Sequence, residues 1–213
     1  MKRIDTVVRI LFLALFLFLI ISGNMILWLA LFAFSLVATL FFGRIYCGYA
    51  CPMNTLMIPT EWLSKKLKIQ TNHTPKWLKS GVFAWIFLIV SITAMLLSQK
   101  LLHINLPILP TWLVVSILVI LRYRPAVFHN LICPFGALQR AAGRFAMFTK
   151  KVDKASCIGC RLCEKVCPDG AIVVQNEDRK AVINQALCHQ CTNCTEVCTK
   201  SAVIYTKRKY GRE

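Results

Sequence analysis

No charged residue occurs between Ile10 and Phe42, and acidic residues are scarce throughout, with 9 aspartates and glutamates against 26 lysines and arginines in 213 residues. The chain also has no glycine-rich nucleotide fingerprint, no flavin signature, and no acid–base or nucleophile constellation. With 57% hydrophobic residues, it is too apolar for an ordinary soluble domain. These absences disfavour a nucleotide-dependent or hydrolytic enzyme.

Haem is disfavoured too. There is no C-x-x-C-H motif, and no facing pair of histidines lies inside the apolar stretches. His103 lies in a loop beside two prolines. It is interpreted either as a plain loop residue or as a hydrogen-bond partner for a quinone head group.

Uncharged apolar stretches predict four short transmembrane helices in two hairpin units. Ser22-Gly23-Asn24 predicts a tight turn within the first hairpin. All four are shorter than the about 20 residues of a usual span, and snorkelling arginines and lysines at their ends offset some of the deficit. The predicted spans are Arg3 to Ile21, Met25 to Phe42, Val82 to Ser98 and Pro110 to Leu121.

Four crossings place every lysine and arginine except Lys100 on one side of the membrane. By the positive-inside rule that side is the cytoplasm, so we expect a multi-pass protein of the bacterial inner membrane with both termini and its C-terminal domain cytoplasmic. The net charge of +17 is therefore a topology signal, and nucleic acid is not an expected partner. The N-terminal segment is interpreted as a retained anchor because no small-residue cleavage site follows it.

An internal repeat pairs each hairpin with a Cys-Pro motif. Cys47 and Cys51 precede Pro52 in residues 47–52, and His129 and Cys133 precede Pro134 in residues 129–134. Each pair has four-residue spacing, which places both side chains on one helical face. Mixed apolar and basic segments, Leu56 to Ile69 and Leu138 to Met147, follow the motifs and predict amphipathic helices at the membrane surface.

The C-terminal segment carries the spacing C-x-x-C-x-x-C-x-x-x-C twice. This spacing predicts two [4Fe-4S] clusters, because the fourth cysteine of each run ligates the other cluster. Zinc or disulfides are the alternative, but they do not explain the repeated run. Each cluster is expected to have four thiolate ligands: Cys157, Cys160, Cys163 and Cys198 for the first, and Cys188, Cys191, Cys194 and Cys167 for the second.

The segment from Lys150 to Thr206 resembles the bacterial two-cluster ferredoxin domain. We therefore expect a four-helix transmembrane domain at residues 1–149 and a small α+β ferredoxin domain with a basic tail at 150–213. Within the latter, Ala171 to Gln175 and Ala181 to Asn184 predict a hairpin, with Ala202 to Thr206 as a matching strand. His189 is expected to face solvent. Because Thr199 follows Cys198 where Pro168 follows Cys167, one site departs from the family pattern.

Nearly the whole chain is similar to the NapH/NosR/MauN/CcoG group of membrane-bound ferredoxin-type proteins. The resemblance implies an electron carrier between a membrane donor, such as quinol, and a protein redox partner. The alternatives to an electron carrier are a metal-centre maturation factor or copper reductase of the CcoG type, and a redox-sensing regulator. If the protein is an enzyme, we expect it to resemble a quinol dehydrogenase or a metal-ion reductase. Membrane lipid is a further expected partner.

His129 stands where that group has a cysteine. Three thiolates and an imidazole ligate iron, so we hypothesise a third metal or redox centre. The alternatives are a redox-active dithiol of Cys47 and Cys51, or purely structural roles. We also expect the ferredoxin domain to dock against the motifs, because little linker follows Met147. The hypothetical ligands are Cys47, Cys51, Cys133 and His129.

Overall fold

The computed structural model describes residues 2–71, 74, 78, 80–103 and 106–208. His73, expected in a polar loop, Trp77, expected at the membrane interface, and Lys209, expected in a basic tail, lie outside these residues. By packing, the chain divides into two units: Met1–Cys51 with Gln139–Glu213, and Pro52–Leu138.

The first unit opens with the predicted helical hairpin. Helix α1 spans Lys2–Ile21 and helix α2 spans Met25–Phe42, and Gly23 turns the chain between them with φ +70°. The indole nitrogen of Trp28 donates to the hydroxyl of Tyr46 at 2.9 Å, and the Trp28 ring meets Phe16 edge-on with centroids 5.0 Å apart. This aromatic cluster fixes the start of the first Cys-Pro motif against the hairpin.

The second unit contains the remaining long helices. Helix α3 spans Pro52–Lys66, α4 spans Val82–Leu97 and continues into a π-helical turn at Ser98–Leu102, and α5 spans Ile108–Arg122. The Trp112 indole donates to Ser91 at 3.0 Å, which joins α5 to α4. Ser64 Oγ donates to the carbonyl of Leu121 at 2.7 Å, which joins α3 to α5.

Three described helical segments are long and apolar enough to cross a membrane: Ile4–Ile21, Met25–Phe42 and Val82–Leu101. The fourth predicted span coincides with α5, a shorter apolar helix of 15 residues. The helical membrane region expected from the sequence is therefore confirmed, and α5 is its shortest apolar helix.

Two short elements complete the helical region. The three-residue helix α6 spans Pro125–Val127 and α7 spans Pro134–Gly143. Like α3, α7 begins at the proline that follows a motif cysteine. Proline suits the first helical position because its φ is already helical and its missing N–H would have no partner there.

The C-terminal segment of the first unit has two antiparallel strand pairs and two short helices, confirming a small α+β fold. Strand β2 (Ile172–Val174) pairs with β3 (Ala181–Ile183) as the predicted hairpin, with Val173 opposite Val182. Strand β4 (Val203–Lys207) pairs with β1 (Phe148–Val152), with Lys150 opposite Tyr205. The short helices are α8 (Leu162–Lys165) and α9 (Asn193–Val197).

The sequence analysis did not predict strand β1. Its sequence, FTKKV, contains two lysines and lacks the alternation of a strand with one buried face. It is a strand because β4 pairs with it from more than fifty positions along the chain, which a local pattern cannot report.

Candidate metal centres

A cavity in the first unit is lined by Cys157, Cys160, Cys163 and Cys198. The loop that carries Cys157 turns tightly at Gly159, whose φ is +69°. A Cβ there would lie 2.0 Å from the carbonyl oxygen of Arg179, so only glycine fits. The four thiols at this cavity come from both cysteine runs, three from the first and one from the second.

The second set of cysteines lies in the apolar core of the same segment. Cys167, Cys188 and Cys194 are buried, and Cys191 is half-buried. Burial, together with the charges of Cys191, Cys194 and Cys167, raises the pKa of the Cys188 thiol to about 12. Cys167, Cys188 and Cys194 belong to one buried core cluster, and Cys191 lies between the last two in the chain, so these four thiols form a second local group.

The cysteine that ends each run has the same local contact. Cys167 Sγ accepts a hydrogen bond from the backbone N–H of Ala171 at 3.2 Å, and Cys198 Sγ accepts one from Ala202 at 3.3 Å. Thr199 in the position equivalent to Pro168 therefore leaves this contact unchanged. A backbone donor stabilises a thiolate, which is the form that binds a metal.

The two thiol groups are neighbours. Cys157, Cys163 and Cys198 of the first group pack against the core cluster that contains Cys167, Cys188 and Cys194 of the second. Two groups of four thiols match the ligand requirement of a pair of four-cysteine clusters. The residues present therefore fit two iron-sulfur cubes placed close together.

The two Cys-Pro motifs share an unusual backbone. Each begins with a π-helical turn, Tyr46–Ala50 in the first unit and Phe128–Ile132 in the second. The backbone N–H of Cys51 donates to Tyr46 O at 2.8 Å, and that of Cys133 donates to Phe128 O at 2.8 Å. The sequence repeat thus extends to the hydrogen-bond pattern, and π-helical turns are frequent at functional sites.

Arg44 connects the first motif to the second cysteine run. Its side chain is fully buried, with one terminal nitrogen 3.7 Å from Cys47 Sγ. The other donates to the carbonyls of Ala186 and Leu187 at 3.2 and 3.3 Å, immediately before Cys188. Burial raises the pKa of the Cys47 thiol, while the charge and the hydrogen bond of Arg44 oppose the rise.

Close backbone approach completes this junction. A Cβ on Gly48 would lie 2.3 Å from the carbonyl oxygen of His189, so the motif presses directly on the cysteine run. Tyr49 donates through its hydroxyl to Gln190 O at 3.4 Å, and Arg9 Nε donates to Gly48 O at 2.9 Å. For the first motif, the expected docking of the ferredoxin domain is confirmed.

His189 does not face solvent, so that expectation is wrong. Its side chain is 1% exposed and its Nδ1 lies 2.7 Å from Oδ2 of Asp169. Burial, together with the charges of Arg44 and Arg9, holds the pKa of His189 well below its usual range. The error arises because the residues that cover His189 precede it by about 140 positions, and no local pattern reports them.

In the second unit, His129 and Cys133 are both buried. The His129 ring meets Phe128 edge-on with centroids 6.0 Å apart, and Cys133 Sγ accepts the N–H of Gly136 at 3.3 Å. The four ligands of the hypothetical third centre divide between the units, with Cys47 and Cys51 in the first. That centre stays a prediction from the sequence.

Two family models match the chain. A 4Fe-4S binding domain matches residues 24–70 and 105–154, and a 4Fe-4S dicluster domain matches residues 156–202. The first match covers both Cys-Pro motifs, and the second contains all eight cysteines of the two runs. No solved structure matches the chain.

Curated relatives extend the likeness beyond the ferredoxin segment. An uncharacterised protein of Methanocaldococcus jannaschii is 29% identical over 154 residues, covering 70% of this chain and 61% of the relative. The methylamine utilization ferredoxin-type protein MauN of Methylobacillus flagellatus is 27% identical, covering 75% and 62%. The ferredoxin-type protein NapH of Haemophilus influenzae is 28% identical, covering 62% and 50%.

The chain is thus similar to the ferredoxin-type proteins MauN and NapH along most of its length. The two matched domain models identify the cofactors as [4Fe-4S] clusters. The chain spans about half to three fifths of the length of the Methanocaldococcus jannaschii protein, MauN and NapH. Arg44 and Gly48, which join the membrane motif to the ferredoxin segment, are the functional residues that sequence reasoning missed. The only local signal at Arg44 is a charge directly after an apolar span, which is also typical of an ordinary snorkelling residue.

Proposed function

We propose that this protein is a membrane-anchored electron relay that passes single electrons between a donor in the membrane and a separate redox partner. The observation that carries the proposal is the contact of Arg44 with both Cys47 and the loop before Cys188. That contact fixes the second thiol group against the end of a transmembrane hairpin. An electron carrier fixed there needs no diffusion to reach a membrane donor.

The eight cysteines of the ferredoxin segment would hold the clusters. The common cavity of Cys157, Cys160, Cys163 and Cys198 supports the first ligand set. The shared buried core of Cys167, Cys188 and Cys194, with Cys191 between the last two in the chain, supports the second. Bound clusters supply one-electron chemistry, and the chain holds them, limits water and sets their potentials.

Basic residues favour the bound state. From residue 150 to residue 213 the chain has 12 basic and 7 acidic residues. The Lys150 ammonium, which donates to the carbonyl of Cys191, and the Lys180 ammonium, which donates to that of Cys157, each lie beside a ligand. Positive charge beside the cysteine ligands would offset the negative charge of the bound clusters.

The ferredoxin segment and the N-terminus would share the cytoplasmic side. Thr192 of the second cysteine run donates to Asp5 in the first turn of α1. Met147 donates through its N–H to Leu40 O, near the end of α2, at 2.9 Å. Contacts to the start of α1 and the end of α2 support a hairpin with both ends at the ferredoxin, and the basic residues there favour the cytoplasmic face.

Quinol is the donor that we propose, because it is a lipid-soluble carrier of electrons. The test is anaerobic mixing of the holoprotein, reconstituted in lipid nanodiscs, with ubiquinol or menaquinol while the cluster absorbance is recorded. The relay predicts bleaching by at least one quinol and recovery when an oxidised acceptor protein is added. Clusters that dithionite reduces but neither quinol bleaches would exclude quinol as the donor.

A further inference from the structure

The two cysteine runs have nearly the same backbone, and their equivalent residues are 31 positions apart in the chain. Gly159 and its equivalent Gln190 are both left-handed, with φ +69° and +57°. Gly170 and its equivalent Ser201 are left-handed as well, with φ +62° and +49°. The runs are therefore two copies of one local structure, and the surroundings of the two copies can be compared position by position.

The N-terminal part of the chain covers the second copy. His189 is buried, and its carbonyl oxygen would lie 2.3 Å from a Cβ on Gly48 of the first Cys-Pro motif. Thr192 donates through its hydroxyl to the carboxylate of Asp5, in the first turn of α1. In the folded protein, an acidic residue on a neighbouring helix therefore binds this copy.

The equivalent positions of the first copy are uncovered. Ile158, the equivalent of the buried His189, is 59% exposed, and Leu162 is 41% exposed. Cys160 is exposed too, whereas its equivalent Cys191 is half-buried. Because electron transfer weakens steeply with distance, the cluster with an exposed ligand is the one from which an electron can pass to another protein.

Arg161 departs from the backbone that the two copies share. Its φ is +62°, whereas that of its equivalent Thr192 is −87°. A left-handed conformation is costly for a residue with a side chain, and such residues cluster at functional sites. Arg161 is exposed and lines the cavity of the first thiol group. The first copy thus has a cation where the second copy has a threonine that binds a carboxylate.

The charges at this cavity are basic. Arg161 and Lys200 line it and are exposed, and no acidic side chain is among the described residues that line it. Asp178, on the neighbouring β2–β3 turn, is paired with Lys154 at 3.3 Å, and Glu164 of α8 is half-buried. We use the term exit face for the exposed residues at the cavity: Ile158, Cys160, Arg161, Leu162 and Lys200.

We propose that the exit face binds the acidic surface of a separate electron-transfer protein, and that electrons leave the chain from the first cluster. Carboxylates of the partner pair with Arg161 and Lys200, while its apolar side chains cover Ile158 and Leu162. A protein is favoured over a lipid surface because the second copy, not the first, contacts the membrane hairpin. This inference rests on the proposed relay. In each transfer the reduced first cluster loses one electron and the oxidised centre of the partner gains it.

The test uses full-length holoprotein in lipid nanodiscs, reduced by dithionite and then freed of it, with oxidised plastocyanin, an acidic copper protein, as the probe. Arg161→Gln with Lys200→Gln removes both cations of the exit face. Arg144→Gln with Lys207→Gln, at exposed positions that do not line the cavity, is the matched control. At low salt we expect the second-order rate of plastocyanin reduction to fall about tenfold in the exit-face variant and to change little in the control, because complementary charges steer association.

Two further measurements separate docking from other effects. Removing nearby cations makes the reduced cluster a stronger reductant, so a slower reaction cannot come from the driving force. Oxidised cytochrome c, a basic haem protein, should not be slowed by the exit-face variant. In the wild-type protein, a carbodiimide should join plastocyanin carboxylates to the Lys200 amine, as identified by mass spectrometry of the linked peptides.

Each other outcome has a defined meaning. Equal rates of plastocyanin reduction in the two variants, or cross-links confined to other lysines such as Lys207, overturn the exit face and leave the relay standing. Protection of Lys200 from acetylation by anionic nanodiscs, without a plastocyanin link, assigns the face to lipid and overturns the proposal as well. If the exit-face variant loses iron, the wild-type cross-link decides. Reduced wild-type protein that passes electrons to neither plastocyanin nor cytochrome c overturns the relay itself.

Discussion

The guanidinium of Arg44 lies 3.7 Å from the sulfur of Cys47, in a position where water does not reach either side chain. The same guanidinium donates to the Ala186 and Leu187 carbonyls. A buried cation of this kind is stable only while its acceptors are in place. Arg44 therefore couples the Cys-Pro motif to the cluster segment through one side chain.

Replacing Arg44 by leucine should loosen this junction. The two carbonyls lose their charged donor, and hydrogen bonds to charged groups contribute about 1.5–3 kcal/mol. We expect the alkylation rate of Cys47 to rise at least about tenfold, as measured by mass spectrometry of the intact protein. The exposed Arg144→Leu serves as control and should leave the rate unchanged. Equal rates in the two variants would show that Arg44 does not hold the motif in place.

The charge of Arg44 should also raise the reduction potential of the second cluster, because a nearby cation stabilises the more negative reduced state. Anaerobic redox titration followed by electron paramagnetic resonance can measure both clusters in one sample. In Arg44→Gln, the potential of the second cluster should fall while that of the first changes less. An equal shift in the reduction potentials of both clusters, or no shift in either, would contradict a local charge effect.

Gly48→Ala tests close contact between the first motif and the cysteine run. The added Cβ would lie 2.3 Å from the carbonyl oxygen of His189, which is backbone and cannot simply rotate away. We expect loss of iron from the second cluster or a clear fall in the thermal midpoint. Gly23→Ala is a suitable control because its Cβ meets nothing within 4 Å, although its φ of +70° adds strain of its own. If Gly48→Ala loses less iron and lowers the thermal midpoint less than Gly23→Ala, the close contact is not needed to hold the second cluster.

Serine substitutions of the crossing cysteines test the ligand assignment. Cys198→Ser should disturb the cluster held by Cys157, Cys160 and Cys163, and Cys167→Ser the other one. Each variant should lose up to about half of its ferredoxin iron, since each cluster contains four irons. Resonance spectra of the remaining cluster should differ between the variants. Identical spectra from both would contradict the exchange of fourth ligands between the runs.

The sequence-based third centre has its own test. His129→Ala, combined with serine at all eight ferredoxin cysteines, isolates the motif residues from the other clusters. If His129 is a ligand, the protein with the eight serine substitutions alone should retain some iron and colour. Adding His129→Ala should then remove both. Unchanged iron and an unchanged spectrum would leave only the dithiol and structural alternatives.

The helical hairpin and the β2–β3 hairpin could be predicted, because each depends on a local pattern. The helices after the Cys-Pro pairs were expected to begin at Leu56 and Leu138, but they begin four residues earlier, at Pro52 and Pro134. Apolar runs, alternation around a turn and proline at a first helical position are visible within about twenty residues. The pairing of β1 with β4 could not be predicted, since its specificity lies in a partner at the other end of the segment. Arg44 likewise has no distinctive sequence signal, because its contacts are with Ala186 and Leu187, which are distant in the chain.

The most direct measurement is a count of iron and acid-labile sulfide in protein purified without oxygen, together with the resonance spectrum after reduction. The account predicts at least about eight irons and eight sulfides per chain, with broadened signals from two neighbouring reduced clusters. Protein that is folded but contains zinc or no metal at all would contradict it.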